Sequence, residues 1–396
     1  DLVQRDQLDR LPRRGAGRWL DSGHDASNAE GLGVMRFTFL TPADDLTGGM
    51  RVIATYARLL QQRGHDVQVV SNAAGKTSLR QRLRLLRRGH IGDALASGAA
   101  PSGHLANTDV PRRVLDRPRP IDASDVPDGD VLVATWWETA EWASAMSASK
   151  GRQVHLIQGF ETWGGAADQQ RFYNALRLPN LKLVISDSLA QEIQAALGPL
   201  HLTVVPNGVD TEQFQAPPRD RRSPPVVGYA YSPLPIKGAD VCAKACELAR
   251  QTIPNLKILA FGAEPPSPQV PLAQGAEFVL RPDQHRLAPL YAGCDAWLFG
   301  SRQESFGLPI LEAMACRTPV VGAAVGAAPA LLANGEGRLV EVDAPQAMAD
   351  ALVQLLTGSV QAWREASQRA WARAQACSWS SSVDQFLRAV QGSPAA

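Results

Sequence analysis

The stretch "DAWLFGSRQESFGLPILEAMACRTPVVG", Asp295 to Gly322, packs four kinds of signal into one short run. An apolar strand, "AWLF", leads into a polar loop. An apolar helix-like segment follows, and then a second short strand, "PVVG". Glu304 and Glu312 stand eight positions apart across the loop and the segment. Pro309 suits a first helical turn, where its missing N–H costs little. The pattern therefore predicts a helix beginning near Ser305. The free N–H groups of Ser305, Phe306 and Gly307 would point out of its start, where an anion can be held. Gly307 permits close backbone approach.

Eight residues at helical rise cover about 12 Å. That span fits a sugar, a diphosphate and a ribose laid along the helix start, with a carboxylate accepting from hydroxyls at each end. A metal site would place its carboxylates closer together.

Outward from this stretch, short apolar strands alternate with helical patterns. "RFTFL", "DVQVVS", "DVLVATW", "QVHLIQGF", "LKLVIS" and "LTVVP" read as strands; Glu138–Ser149 and Ser188–Leu197 read as helices between them. Strands apolar throughout, alternating with helices, imply a parallel sheet covered on both faces. "PNGVDTEQFQAPPRDRRSPP" then interrupts the pattern with prolines and charges. The alternation restarts with "PVVGYAY", "LKILAFG", "AEFVL" and "DAWLFGS". The expected fold class is α/β: two tandem Rossmann-like, doubly wound domains facing a cleft. In such sheets ligands bind outside the carboxyl ends of the strands.

The expected boundaries are a leader at 1–34, a first domain at 35–206, a linker at 207–225 and a second domain at 226–378. A helix at 379–391 carries Trp379, Val383, Phe386, Leu387 and Val390 as one stripe, and is expected to cross back onto the first domain. The leader mixes charges with Gly and Ser, has no sustained period, and reads as disordered or non-native.

Composition bounds the function. Of 396 residues, 45% are apolar and 20% charged, as in soluble globular chains, and the net charge of +1 recommends no nucleic-acid partner. Five scattered cysteines (Cys242, Cys246, Cys294, Cys316, Cys377) show no metal-knuckle spacing and read as small core residues in a reducing cytosol. No apolar run reaches the roughly 18 residues of a membrane span. "KTSLRQRLRLLRRGH", 76–90, is basic and amphipathic; it reads equally as a peripheral contact with anionic lipid or as a solvated helix. The expected location is the cytoplasm, with this segment the means of touching the membrane's inner face.

These motifs together resemble the group 1 (family 4) retaining glycosyltransferases with the GT-B fold. Glu304 and Glu312, followed by "AMACRTPVVG", resemble the family's E-x7-E signature. "MRFTFLTPADDLTGGMRVIATYARLLQQRGHDVQVV" resembles its first strand, glycine loop and helix, "VVPNGVDTEQF" its hinge, and "GEGRLVEVDAPQAMADALVQLL" its tail. The resemblance runs from about Met35 to the end and thins over 72–130.

It implies a transferase acting on a nucleoside-diphosphate sugar as co-substrate, with no metal or other cofactor and no D-x-D metal motif near the donor loops. Glu312 would bind the ribose and Glu304 the transferred sugar. Lys237 would neutralise the diphosphate, and Gly48 and Gly49 would meet it from the other domain. Ser305, Phe306 and Gly307 would hold sugar and phosphate. Leu280 and Arg281 would offer backbone groups to the base. Glu304 and Lys237 are the expected catalytic pair.

Two positions depart from the family. Ser232 stands where many relatives carry an arginine five residues before the lysine, so one phosphate contact is missing or comes from Arg302 or Arg51. "AAVGAAPAL" has Ala327 and Ala330 where relatives often place Gly and Glu. On the acceptor side, Trp136, Trp137, Glu138, Gln158, Phe160, Glu161 and Trp163 follow strand ends, where aromatic faces and carboxylates suit sugar rings. Tryptophans there serve as often in the core. His155, inside an apolar strand, is expected to be a hydrogen-bonded core residue.

The implied acceptor is a glycan or a lipid-linked sugar in cell-surface polysaccharide or glycoconjugate synthesis. A nucleotide-sugar 2-epimerase and a catalytically inactive glycan-binding protein share the architecture and stand as alternatives.

Overall fold

Every adjacent strand pair in the computed structural model is parallel, and the strands form two sheets. The structure describes residues 33–45, 47–73, 103–161 and 165–392. The leader up to residue 32, the basic segment 76–90 and Trp163 lie outside this set.

The first sheet contains β1 (Arg36–Thr41), β2 (Asp66–Ser71), β3 (Arg112–Val114), β4 (Val131–Ala134), β5 (Arg152–Ile157), β6 (Leu181–Val184) and β7 (Thr203–Val204), in the spatial order 3-2-1-4-5-6-7. The second contains β8 (Val226–Tyr231), β9 (Lys257–Gly262), β10 (Glu277–Leu280), β11 (Ala296–Phe299), β12 (Val320–Ala323) and β13 (Gly337–Val340), in the order 10-9-8-11-12-13. Both repeat the Rossmann order, which reverses direction beside its first strand. The switch points therefore lie between β1 and β4 and between β8 and β11. The loops leaving those four strands carry most of the expected donor-site residues.

Helices cover the sheets. In the first half these are α1 (Gly48–Gln62), α2 (Trp137–Ser144), α3 (Ala166–Leu176) and α4 (Asp187–Leu197). In the second they are α5 (Ala239–Ala249), α6 (Gln284–Ala292), α7 (Leu308–Ala315), α8 (Ala328–Leu332), α9 (Pro345–Thr357) and α10 (Val360–Ala376). The central strands β4, β6, β11 and β12 are buried along their whole length. This explains why β4, β11 and β12 read as continuous apolar runs and not as alternating ones, while β6 carries Lys182, whose ammonium donates to the Leu178 and Asn180 carbonyls. All of this belongs to one unit, Met35–Ala396.

Two expectations need correction. The segment read as one helix over Glu138–Ser149 is α2, ending at Ser144, followed by a separate 3₁₀ turn at Ala148–Lys150. His155 is buried in β5, but neither ring nitrogen finds a hydrogen-bond partner. Burial lowers its pKa to about 3, so it sits in the core as a neutral ring.

The last helix, α11 (Trp379–Gly392), packs on the first half although its chain leaves the second. Trp379 and Phe386 meet Tyr56 edge-on and tilted at 5.7 and 5.3 Å, and Phe386 also reaches Phe37 at 6.2 Å. Arg63 fixes the helix start through Ser380 and Asp384.

The chain therefore crosses between the halves twice, and the two crossings pair. Val209 donates to Cys377 O at 2.9 Å and accepts from Trp379 N at 3.2 Å. Gly208 permits this approach: a Cβ there would lie 2.3 Å from the Trp379 nitrogen, against backbone that cannot rotate away. Gly208→Ala is expected to lower the stability of the whole unit by about 1–3 kcal/mol, the usual cost of forcing atoms into a filled site. A denaturant midpoint that matches the wild type would contradict this account of the crossing.

Candidate active site

A cleft of about 600 Å³ opens where the two switch points face each other. Gly48 and Gly49 at the start of α1, Gln158 after β5, Ser232 and Lys237 after β8, and Glu304 to Gly307 after β11 all line it. The structure thus brings together the expected glycine loop, lysine and first glutamate.

The loop after β11 differs from the expectation. The helix begins at Leu308, three residues later than the pattern suggested, and Pro309 still falls in its first turn. Gly307 caps it with φ +95°, a left-handed conformation that side chains resist, and a Cβ would also lie 2.9 Å from the Phe299 ring. Ser305 and Phe306 are therefore loop residues. Among the described residues, the N–H groups of Ser305, Phe306 and Gly307 donate to no backbone carbonyl. They remain available to an anion, as loop amides ahead of the helix. The Ser186 hydroxyl, from the first half, donates to Ser305 O at 2.7 Å and fixes the loop across the cleft.

The departure at "AAVGAAPAL" leaves backbone support in place. Ala327 N donates to Phe306 O at 2.9 Å, and Gly326 lies close to the Glu304 and Phe306 carbonyls.

Each site cation rests on a carboxylate. Lys237 Nζ lies 2.7 Å from Glu304 Oε2. Arg51 Nη2, from α1, lies 2.6 Å from Glu312 Oε1 on α7. Glu312 is only 5% exposed, and its other oxygen accepts from the fully buried Tyr291 hydroxyl at 2.7 Å. The charge on Glu312 raises the Arg51 pKa.

Arg302 does not reach the cleft. It grips Asp240 with two hydrogen bonds of 2.8 and 2.7 Å, reaches Asp343 at 2.5 Å, and donates to Pro235 O at 2.6 Å. Its guanidinium pulls the Asp240 carboxyl below the usual range. It ties the Lys237 turn (Pro235–Lys237) to the loop after β11, so its expected candidacy as a phosphate contact is withdrawn.

Leu280 and Arg281 lie at the end of β10, away from the residues that line the cleft. Arg281 N donates to Gly262 O at 2.8 Å, which leaves carbonyl groups and not that amide for any base contact.

The acceptor candidates divide. Gln158 lines the cleft. Trp136 is half-buried against the core, as is Phe160, whose ring meets Phe172 and Tyr173. Trp137 is buried, with the Arg171 guanidinium 4.4 Å from its ring centre. Burial raises the pKa of Glu138, half-buried at the start of α2. Glu161 is buried with one hydrogen bond, from Trp137 N at 3.3 Å, and burial raises its pKa to about 8.

Sequence reading missed Tyr291 and Ser186, because their partners are distant in the chain and no local motif marks them, and it missed the cleft-lining Asn207. Among the described residues no cluster of three or more His, Cys, Asp or Glu side chains is placed to hold a metal. No helix among them is long and apolar enough to cross a membrane.

Two facing Rossmann sheets with a charged donor cleft define the GT-B class of group-transfer enzymes. The comparisons agree. A family model described as glycosyl transferases group 1 matches residues 224–358, and one described as glycosyltransferase family 4 matches 46–213. The chain belongs to the group 1, family 4 glycosyltransferases.

Among curated relatives, a D-inositol 3-phosphate glycosyltransferase of Mycobacteroides abscessus is 32% identical over 212 residues, covering 48% of this chain and 46% of that one. Its namesake from Stackebrandtia nassauensis is 32% identical over 216 residues, covering 48% of each. The chain spans about half the length of these curated relatives. Among solved structures, Anabaena HepE in complex with UDP-glucose superposes with a TM-score of 0.67 at 19% identity, covering 91% of this chain and 100% of that one. Sucrose-phosphate synthase from Thermosynechococcus elongatus gives 0.63 at 17%, covering 89% and 98%. Both share the fold.

Burial of Glu161 just after β5 makes stability depend on pH. Burial keeps the Glu161 proton in place up to about pH 8 in the folded state, whereas an unfolded glutamate ionises near 4.5. Between those values the unfolded chain binds fewer protons, so this group's contribution to stability falls as pH rises, by at most about 1.4 kcal/mol per pH unit. Glu161→Gln should flatten the wild-type decline between pH 5 and 8 in urea melts. An unchanged slope in the variant would show that Glu161 is ionised when folded.

Proposed function

We propose that this protein is a retaining glycosyltransferase that moves a hexosyl or deoxyhexosyl group from a nucleoside-diphosphate sugar to a glycan or lipid-linked acceptor. We assign its role to cell-surface polysaccharide or glycoconjugate synthesis. The observation that carries the reading is the Lys237–Glu304 pair at 2.7 Å beside the loop of Ser305 to Gly307. A donor diphosphate in the cleft takes Lys237 away from Glu304, and the released carboxylate then accepts from hydroxyls of the transferred sugar. Glu312 does the same for the ribose.

The bond from the anomeric carbon to the leaving phosphate oxygen breaks as the acceptor oxygen bonds to that carbon on the same face. The acceptor proton passes to the leaving phosphate, giving a glycoside and a nucleoside diphosphate. Charge builds on that phosphate, so donors fixed beforehand at Lys237 and the loop amides stabilise the transition state more than the ground state. This assignment needs no metal cofactor. Gln158, at the cleft, is the first acceptor contact.

Melting with UDP, GDP, dTDP and ADP tests the donor site. A ligand at about 100 times its dissociation constant stabilises by roughly 2.7 kcal/mol. One nucleotide should raise the wild-type melting temperature, and Glu312→Ala should lose most of that rise. No shift with any nucleotide at millimolar concentration would remove the donor-site reading and favour an inactive glycan binder. With the nucleotide known, turnover of its sugars on glycan, lipid-linked and D-inositol 3-phosphate acceptors separates transfer from epimerisation, which proceeds without an acceptor.

A further inference from the structure

We infer that Arg51 is a diphosphate ligand that rests on Glu312 until the donor arrives, and that it supplies the cationic contact Ser232 lacks. The inference rests on the donor-site reading above and assigns a residue to it.

Among the described residues lining the cleft, Arg51 and Lys237 are the cations. A nucleoside diphosphate carries more charge than Lys237 alone balances. Arg302, the other arginine near the Lys237 turn, is committed to Asp240 and Asp343.

Arg51 occupies an unusual place for a cation. It is the fourth residue of α1, close to the helix start, where the helix dipole disfavours positive charge. An anion in front of that helix start compensates the dipole and the guanidinium together. In the structure that anion is Glu312, reached across the cleft; Tyr291 holds the carboxylate from behind whether or not Arg51 stays. Gly48 and Gly49, on the same helix turn, line the same cleft, which puts the guanidinium within a side chain's reach of the expected diphosphate position. Moving from carboxylate to phosphate keeps the arginine in a charge-assisted contact. It also frees one Glu312 oxygen for the ribose, so one rearrangement serves both ends of the nucleotide.

The test measures dissociation constants of wild type, Arg51→Met and Arg51→Lys by calorimetry. The probe is whichever of UDP, GDP, dTDP or ADP stabilises the wild type, with the matching nucleoside as its competitor. Methionine keeps the aliphatic stem and removes the charge; lysine restores the charge. Arg51→Met should weaken the diphosphate at least tenfold and leave nucleoside competition as strong as before or stronger, because Glu312 is then unblocked. Arg51→Lys should recover most of the loss. The diphosphate affinity of Arg51→Met should also depend less steeply on salt, one screened charge having gone.

Unchanged diphosphate affinity in Arg51→Met overturns the inference. So does an equal loss for nucleoside and diphosphate, which would mean that Arg51 acts only by holding Glu312. If the wild type binds none of the four diphosphates, the donor-site reading fails before Arg51 is tested. Should Arg51→Met fail to fold, Arg51→Lys with the salt series decides alone: affinity and salt dependence near the wild type support the charge contact, and a loss as large for nucleoside as for diphosphate sinks it.

Discussion

Giving both oxygens of the buried Glu312 carboxylate a partner is the constraint on which the site depends. A carboxylate 5% exposed loses most of its hydration, an effective penalty of several kcal/mol. Here one oxygen accepts from Tyr291 and the other from Arg51, so neither is left bare. Tyr291 belongs to an aromatic group with Phe214, Phe261 and Trp297, which fixes its hydroxyl. Arg51 comes from the opposite half. The charge on α7 is therefore held by two different means: a neutral donor from the same half, and a cation from the opposite half. Only the second can be exchanged for a ligand.

That exchange is possible because of how the two sheets are joined. Both have the same strand order, and their switch points face one cleft, so residues far apart in the chain converge there. The links between halves away from the cleft are of another kind. Residues 207–209 and 377–379 run together with paired backbone hydrogen bonds, and α11 is anchored by rings on Phe37 and Tyr56. These apolar and backbone contacts do not compete with a charged ligand, whereas the Arg51–Glu312 and Lys237–Glu304 pairs do. The structure separates the contacts that keep the halves together from those that a donor can replace.

The fold was legible because strands buried on both faces read as apolar runs, and β4, β11 and β12 carry that mark. Lys237, Glu304 and Glu312 were legible because their neighbours form an ordered run of motifs, not because of spacing alone. The start of α7 was misplaced since nothing local reports that Gly307 is left-handed; the apolar pattern and Pro309 fit either start. Arg302 reads as a free cation beside Glu304, and only its partners 62 and 41 residues away show it to be a structural clamp. Arg51 and Glu312 are 261 residues apart, and no periodicity connects them. Side-chain partners across a cleft are set by tertiary geometry, which propensity does not encode.

Ser232 shows how such a site can change a residue without losing its charge balance. A fixed arginine on the loop after β8 would add a cation to the same half that carries Lys237. With serine there, the second cation comes from α1, in the other half. Under the proposed donor reading, a diphosphate would meet both cations only with the halves as close as they stand here. On that reading closure and charge neutralisation would be one event, and water would leave the reacting bond as the second cation reached the phosphate. A site with both cations on one half would hold the diphosphate equally well open or closed. Dividing them would tie the binding energy of a donor to closure of the cleft, the state in which transfer competes best with hydrolysis.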